Sequence, residues 1–170
     1  NVLTPVMDFV RAMQKSPNGK AIAPFLQTLA AVARRLQSAE QLQFYIDIAR
    51  DLRVPLLPRG GGTSQCGQTT GAALVIDTSK HLRNVIGFDK DAMTVDVEPG
   101  IVLDYLNAWL KPHGLWFPVD VSTSAQATLG GMAGNNSCGS RSIAYGNMVH
   151  NVERIDAWLA DGSEVSFGPL

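Results

Sequence analysis

The sequence has almost no charge imbalance, few cysteines and no long apolar run, and each of these absences excludes a class of protein. Acidic residues outnumber basic ones by one, 15 against 14, over 170 residues. Because the charges are scattered and form no basic patch, nucleic-acid binding is not expected. No stretch approaches the ~20 apolar residues that a membrane-spanning helix needs, so no transmembrane segment is predicted.

The cysteines and histidines are too dispersed for a metal site. Cys66 and Cys138 fit neither a zinc pattern nor a disulfide framework. His81, His113 and His150 are not clustered in the sequence either. No metal is therefore expected, and a reducing compartment is the default environment for such a chain.

Hydrophobic spacing and turn residues predict an α+β fold. A helix is expected from a capping box at 38–41 to Leu52, and a second one from Ile101 to Leu110. Extended segments are expected at 54–58, 73–76, 84–88, 93–97, 152–159 and 164–167. Because the last four pair as two hairpins, the class is α+β and not a doubly wound sheet.

The two ends of the chain are the least informative part of the sequence. Residues 1–29 stay unassigned, and a strand is expected from Leu29 to Ala33, because tertiary context can override the helix propensity of its alanines. Residues 30–170 are expected to form one domain. Since Asn1 is not Met and Leu170 follows a strand closely, both ends are interpreted as cut.

A glycine-rich loop follows the segment 54–58 and is the first candidate site. It reads Arg59-Gly60-Gly61-Gly62-Thr63-Ser64. Consecutive glycines cost conformational entropy, but they let successive backbone N–H groups point at one anion. The two hydroxyl residues add donors, so the loop is suited to a diphosphate.

Two common phosphate-binding motifs do not fit this loop. No Gly-Lys-Ser/Thr sequence occurs, which excludes the P-loop of nucleotide triphosphatases. Counted from Gly60, the sixth position of a Gly-x-Gly-x-x-Gly dinucleotide fingerprint is Gln65, which breaks that motif.

A second loop, expected to run from Pro118 to about Gly146, is the other candidate site. It consists almost entirely of small, amide or hydroxyl residues, which let a backbone approach a ligand while supplying neutral donors. Unstructured loops of this length are uncommon in compact domains and are usually functional. Trp116 before it, and Trp109 earlier, are expected in the core.

Together with Ala127-Thr-Leu-Gly-Gly-Met132 and Asn135-Asn136, the first loop resembles the PCMH-type FAD-binding domain of the vanillyl-alcohol oxidase/p-cresol methylhydroxylase superfamily. The resemblance is greatest to its D-lactate and glycolate dehydrogenase branch. It implies two small α+β subdomains with FAD between them. The implied FAD-binding residues are Arg59, Gly60, Gly61, Gly62, Thr63, Ser64, Asp120, Ser122, Thr123, Ser124, Thr128, Leu129, Gly130, Gly131, Ala133, Asn135, Asn136 and Ile155.

By this resemblance the protein is expected to be a flavin-dependent dehydrogenase that oxidises a D-2-hydroxy acid such as D-lactate. The resemblance also implies a C-terminal substrate domain that is absent here, so the residues that bind the substrate carboxylate and accept the hydroxyl proton are expected beyond Leu170, and no catalytic residue is assigned in this chain. The electron acceptor is left open, with an iron–sulfur domain or subunit among the candidates. A cytoplasmic location is expected, with attachment to the inner face of a membrane left open. The alternatives are a non-catalytic flavin-binding subunit and a reductase of the cell-wall precursor type.

Three further expectations concern single residues. Family members that bind FAD covalently often use a histidine in or beside the first loop; residues 59–67 contain none, so the FAD is expected to be non-covalent. Arg59 could neutralise a phosphate or pair with a carboxylate inside the fold, since arginine suits both. His150 is expected to make a structural hydrogen bond.

Overall fold

The structure is a computed structural model that describes residues 39–168, and its first part joins one helix to a pair of parallel strands. Helix α1 spans Ala39–Asp51, and strands β1 (Leu56–Arg59) and β2 (Leu74–Asp77) pair in parallel. The buried side chains of Tyr45 and Ala49 on α1 pack against those of Leu74 and Ile76 on β2. This small core fixes the strand end from which the first glycine loop leaves. The predicted capping residue Ser38 and the predicted strand Leu29–Ala33 lie outside the described residues.

The second part contains two antiparallel hairpins and one longer helix. Strands β3 (Val85–Asp89) and β4 (Thr94–Val97) form the first hairpin, and β5 (Ile155–Trp158) and β6 (Glu164–Phe167) form the second. Helix α2 spans Leu103–Leu110. A separate core forms here, and its buried members are Ile101, Leu103, Leu106, Leu110, Val119, Ala127, Leu129, Met132 and Met148. The predicted α+β class and the predicted pair of small α+β subdomains are confirmed.

The segment predicted as one long unstructured loop contains helices, so that prediction is wrong. Helix α3 spans Leu129–Gly134 and α4 spans Ser142–Tyr145. Helix α5 (Met148–Asn151) follows before β5, so the strand predicted to start at Val152 begins three residues later. Glycine disfavours helix by ~1 kcal/mol per residue, but burial of two apolar side chains of α3 in the core overrides this local preference.

Between residues 39 and 168, no helix has the length and apolar character needed to cross a lipid bilayer.

Candidate functional site

The two predicted loops meet along one cavity of about 320 Å³. Its lining comes from residues 58–69 on one wall and 123–137 on the other. The lining residues are Pro58, Arg59, Gly60, Gly61, Gly62, Thr63, Ser64, Gln68, Thr69, Thr123, Ala127, Thr128, Gly131, Met132, Asn135 and Ser137. Two segments more than 50 residues apart in the sequence therefore build one binding surface.

The first wall leaves the carboxyl end of β1. The backbone N–H of Thr78, which directly follows β2, donates a hydrogen bond of 2.9 Å to the carbonyl of Arg59. The ends of both parallel strands are thus tied together where the glycine loop begins. Ligands of parallel sheets commonly bind at this end of the strands.

The second wall is fastened to the segment that leads into α2. The N–H of Leu103 donates to the carbonyl of Ala127 at 3.0 Å, and the N–H of Leu129 donates to the carbonyl of Ile101 at 2.9 Å. The N–H of Gly130 donates to the carbonyl of Pro99 at 2.8 Å. These backbone hydrogen bonds hold the start of α3 in place, so the fold itself fixes the position of the second wall.

Two of the three consecutive glycines let the walls touch. A Cβ placed on Gly60 would overlap the side chain of Thr128, and a Cβ on Gly61 would overlap the backbone carbonyl of Gln126. The sequence suggested that these glycines clear space for a ligand. In the structure, the absence of a Cβ at these two glycines is what allows the two loops to come into contact.

The third glycine accommodates the arginine of the same loop. Gly62 has a φ of 67°, a left-handed conformation that favours glycine. A Cβ there would lie 2.9 Å from a terminal nitrogen of Arg59, so the guanidinium lies over this glycine. Among residues 39–168, the arginines in ion pairs are Arg50, Arg141 and Arg154. The alternative in which Arg59 pairs with an internal carboxylate is therefore not what this part of the structure shows.

A buried hydroxyl lies at the contact between the walls. Thr128 is 2% exposed, and its Oγ1 has no hydrogen-bond partner within the described residues. A Cβ on Gly131 would lie 3.2 Å from this oxygen. A buried hydroxyl without a partner costs ~1–3 kcal/mol, so this donor is available for an acceptor that residues 39–168 do not supply.

Beyond the cavity, the second loop is closed by a carboxylate. Asp120 Oδ2 accepts a hydrogen bond of 2.7 Å from the Ser140 hydroxyl, and Oδ1 accepts one of 3.0 Å from the Arg141 N–H. These two hydrogen bonds hold the pKa of the Asp120 carboxyl below its ordinary value, and the bond from the Ser140 hydroxyl has the larger effect. The carboxylate is thus an ionised anchor for the turn at 139–141.

The structure brings some of the predicted binding residues to the cavity and leaves others away from it. The predicted residues that line it are Arg59, Gly60, Gly61, Gly62, Thr63, Ser64, Thr123, Thr128, Gly131 and Asn135. The predicted residues outside its lining are Asp120, Ser122, Ser124, Leu129, Gly130, Ala133, Asn136 and Ile155. Leu129 is buried in the core, and Ile155 is an exposed residue of β5 that pairs with Phe167.

Some cavity residues had not been predicted as contacts. Gln68 and Thr69 belong to the first wall, and Met132 and Ser137 belong to the second. Gln68 Nε2 donates a hydrogen bond of 2.8 Å to Asn135 Oδ1, which joins the two walls. The amide of Gln68 in a glycine-rich loop was a usable signal, whereas nothing local in the sequence marks Ser137.

The structure also decides the expectations for individual side chains. His150 Nδ1 accepts a hydrogen bond of 3.1 Å from the N–H of Asn147, so its predicted structural role is observed. Trp109 and Trp116 were expected in the core but are 38% and 41% exposed. Cys66 and Cys138 are free and exposed, and residues 39–168 contain no cluster of metal-ligating side chains.

Comparison with known proteins identifies the family. A sequence model of the family described as "FAD binding domain" matches residues 30–168. D-2-hydroxyglutarate dehydrogenase of Pseudomonas putida is 39% identical over 118 residues, which are 69% of this chain and 12% of that protein. The mitochondrial D-lactate dehydrogenase [cytochrome] 1 of Saccharomyces cerevisiae is 33% identical over 132 residues, 75% of this chain and 22% of that protein.

A solved structure supports the same fold. The 6-hydroxy-D-nicotine oxidase from Arthrobacter nicotinovorans superposes with a TM-score of 0.69 over 79% of this chain and 29% of its own, at 18% identity. This chain spans less than a third of the length of each of these three proteins. The chain belongs to the family of FAD-binding domains, and FAD is its cofactor.

Proposed function

We propose that this chain holds FAD in the cavity between its two loops, as the cofactor domain of a dehydrogenase that oxidises a D-2-hydroxy acid such as D-lactate. The observation that supports this most directly is the charge of the cavity. Within the described part of the chain, its lining contains one cation, Arg59, and no carboxylate, together with hydroxyl and amide donors. Such a lining is suited to an anionic diphosphate, because charged acceptors make the strongest hydrogen bonds.

Different residues of the site would bind different parts of FAD. Arg59 would neutralise diphosphate charge, while Thr63, Ser64 and the buried Thr128 hydroxyl would donate hydrogen bonds to its oxygens. Of the predicted contacts that lie outside the cavity lining, Asp120, Ser122 and Ser124 would follow the ribityl chain and the flavin. These assignments rest on the loop sequence, on the absence of acidic side chains from the cavity and on the Thr128 hydroxyl.

When bound, FAD supplies the acceptor for the hydride that leaves C2 of the hydroxy acid, and the protein supplies binding, orientation and electrostatics. The substrate class is inferred from the relatives, since two of them are named for oxidising D-2-hydroxyglutarate and D-lactate. No residue between 39 and 168 is assigned to accept the hydroxyl proton. An iron–sulfur domain or subunit as electron acceptor, and a cytoplasmic location with attachment to an inner membrane face, remain predictions.

The cofactor assignment is tested by titrating the chain with FAD and following the quenching of flavin fluorescence. Thr128→Val removes the hydroxyl and keeps the branched shape, and Arg59→Met removes the charge. Each should weaken FAD binding by about tenfold or more, since hydrogen bonds to charged groups contribute ~1.5–3 kcal/mol. Competition by ADP should weaken in both variants, whereas competition by riboflavin, which has no phosphate, should not.

Arg154→Met is the matched control for Arg59→Met. Arg154 is equally an exposed arginine, but it pairs with Asp156 at 2.8 Å on the second hairpin, away from the cavity. The control should bind FAD as the unaltered chain does. Equal FAD affinity in Arg59→Met, Thr128→Val and the control would refute the proposed site.

The reaction is tested in the complete protein that carries this domain, under anaerobic conditions. Addition of D-lactate, D-2-hydroxyglutarate or glycolate should reduce the flavin, which is observed as a loss of its visible absorbance. Bleaching by NADPH instead would support a reductase of the cell-wall precursor type. Bleaching by neither would leave a flavin-binding subunit as the function.

A further inference from the structure

One arginine of the second loop stacks on an aromatic side chain. The guanidinium carbon of Arg141 lies 5.0 Å from the ring centroid of Trp116. The Trp116 ring in turn meets the Tyr145 ring edge-on, with centroids 5.3 Å apart and planes at 82°. Stacking of this kind orients the guanidinium and reduces the side-chain entropy that binding would otherwise cost.

The hydrogen-bonding groups of this guanidinium are not used inside the described part of the chain. Its Nε lies 3.7 Å from Asp120 Oδ2, which is an ion pair but longer than a hydrogen bond. The Asp120 oxygens already accept from the Ser140 hydroxyl and from the backbone N–H of Arg141. The Arg141 side chain is 58% exposed. An oriented cation with free N–H donors thus faces solvent.

The chain that carries this cation continues directly from the second wall of the cavity. Ser137, four residues earlier, lines the cavity, so their Cα atoms are at most ~14 Å apart for a fully extended chain. A Cβ on the intervening Gly139 would overlap the carbonyl of Asp120, so the backbone of this turn lies directly against that residue. The turn therefore packs against the segment that enters the second wall at Thr123.

We propose that Arg141 binds the carboxylate of the substrate, with Trp116 and Tyr145 as the platform that positions it. The inference rests on the proposed function, because it assigns a binding residue for the D-2-hydroxy acid to the cofactor domain itself. Arg141 acts here in substrate binding and takes no part in moving the hydride or the proton.

A carboxylate suits this arrangement better than other ligands of a cation. Every 2-hydroxy acid has a carboxylate next to the reacting carbon, and the planar guanidinium can bind both of its oxygens in parallel. The segment that carries Arg141 and Tyr145 also exposes apolar side chains, with Ile143 fully exposed and Val149 66% exposed. Where such groups become covered, less water competes and the charge pair strengthens.

Trp116 itself provides the reporter for the test, because it lies directly beneath the guanidinium. Trp109 and Trp158 are replaced by Phe, so that Trp116 is the sole tryptophan of the chain. Sodium D-lactate is then titrated at constant ionic strength, with propane-1,2-diol, which lacks the carboxylate, as the matched ligand. D-Lactate should change the emission in a saturable way, and the diol should not.

The variants separate substrate binding from folding and from cofactor binding. Arg141→Met should weaken D-lactate binding by at least about tenfold, Arg141→Lys should retain part of it, and Arg154→Met should leave it unchanged. All three variants should keep the FAD affinity of the unaltered chain. If the double Trp→Phe chain does not fold, the natural chain and Arg141→Met are titrated with D-lactate instead. The change in total tryptophan emission that D-lactate causes is then compared between the two.

Two results would overturn the inference. One is D-lactate binding that survives Arg141→Met, or that never saturates. The other is a loss of FAD affinity in Arg141→Met, which would show that the guanidinium holds the cofactor. Failure of the proposed function is recognised separately, because it appears as FAD binding that does not depend on Arg59 and Thr128.

Discussion

A single methyl group at Gly61 should weaken FAD binding by forcing the two loops apart. A Cβ at this position would overlap the backbone carbonyl of Gln126, which cannot rotate away as a side chain could. Relief requires the loops to separate by ~1 Å or more, given ordinary contact distances of ~3.5 Å. Overpacking of this kind costs ~1–3 kcal/mol. If FAD needs both walls at their present distance, its dissociation constant should rise by about 5- to 150-fold.

Gly71→Ala is the matched control for Gly61→Ala. Gly71 lies in the same glycine-rich segment, does not line the cavity, and has nothing within 4 Å of an added Cβ. Both variants and the unaltered chain would be titrated with FAD by fluorescence quenching, after circular dichroism has shown that each is folded. Gly71→Ala should bind like the unaltered chain. An unchanged dissociation constant for Gly61→Ala would refute the argument that loop contact at this glycine maintains the cavity.

Three further predictions follow from the site. Acid precipitation should release all the flavin into the supernatant, because residues 59–67 contain no histidine for covalent attachment; a yellow, fluorescent protein pellet would contradict this. The lowered pKa of Asp120 implies stabilisation that is complete above the ordinary carboxyl pKa of ~4 and is lost as the pH falls through the lowered value. The melting temperature of Asp120→Asn should therefore fall less than that of the unaltered chain between pH 6 and pH 3, and parallel curves would argue against the anchor. Finally, the 170-residue chain with FAD and D-lactate should show no anaerobic bleaching, because no residue between 39 and 168 is assigned to accept the hydroxyl proton; bleaching would place catalytic groups within this chain.

Local signals were sufficient for the first hairpin and for helix α2. The hairpin of β3 and β4 was predicted from the turn residues between them, and Asp89 Oδ1 accepts hydrogen bonds from the N–H groups of Asp91 and Ala92 in that turn. Helix α2 has the expected apolar face, with Leu103, Leu106 and Leu110 buried. Such features depend on neighbours within a few residues, which the sequence shows directly.

The second loop could not be predicted in the same way, because distant contacts determine its structure. Helix α3 contains three glycines, and its stability comes from the core and from the contact between Gly130 and Pro99. Trp116 looked like a core residue by its size, but its ring supports Arg141 at the surface. Neither partner is near in sequence, so neither contact could be seen before the fold was known.

If FAD binds in the cavity as proposed, the division of that cavity between two distant segments makes FAD a contributor to folding. The unfolded chain cannot bring residues 58–69 and 123–137 together, so FAD binds the folded state almost exclusively. At a free concentration 100 times the dissociation constant, binding adds ~2.7 kcal/mol to the free energy of unfolding. That is a large fraction of the ~5–15 kcal/mol that stabilises an ordinary domain. A cell short of flavin would accordingly hold more of this chain unfolded, where proteases degrade it, and the supply of cofactor would set the amount of the protein as well as its activity.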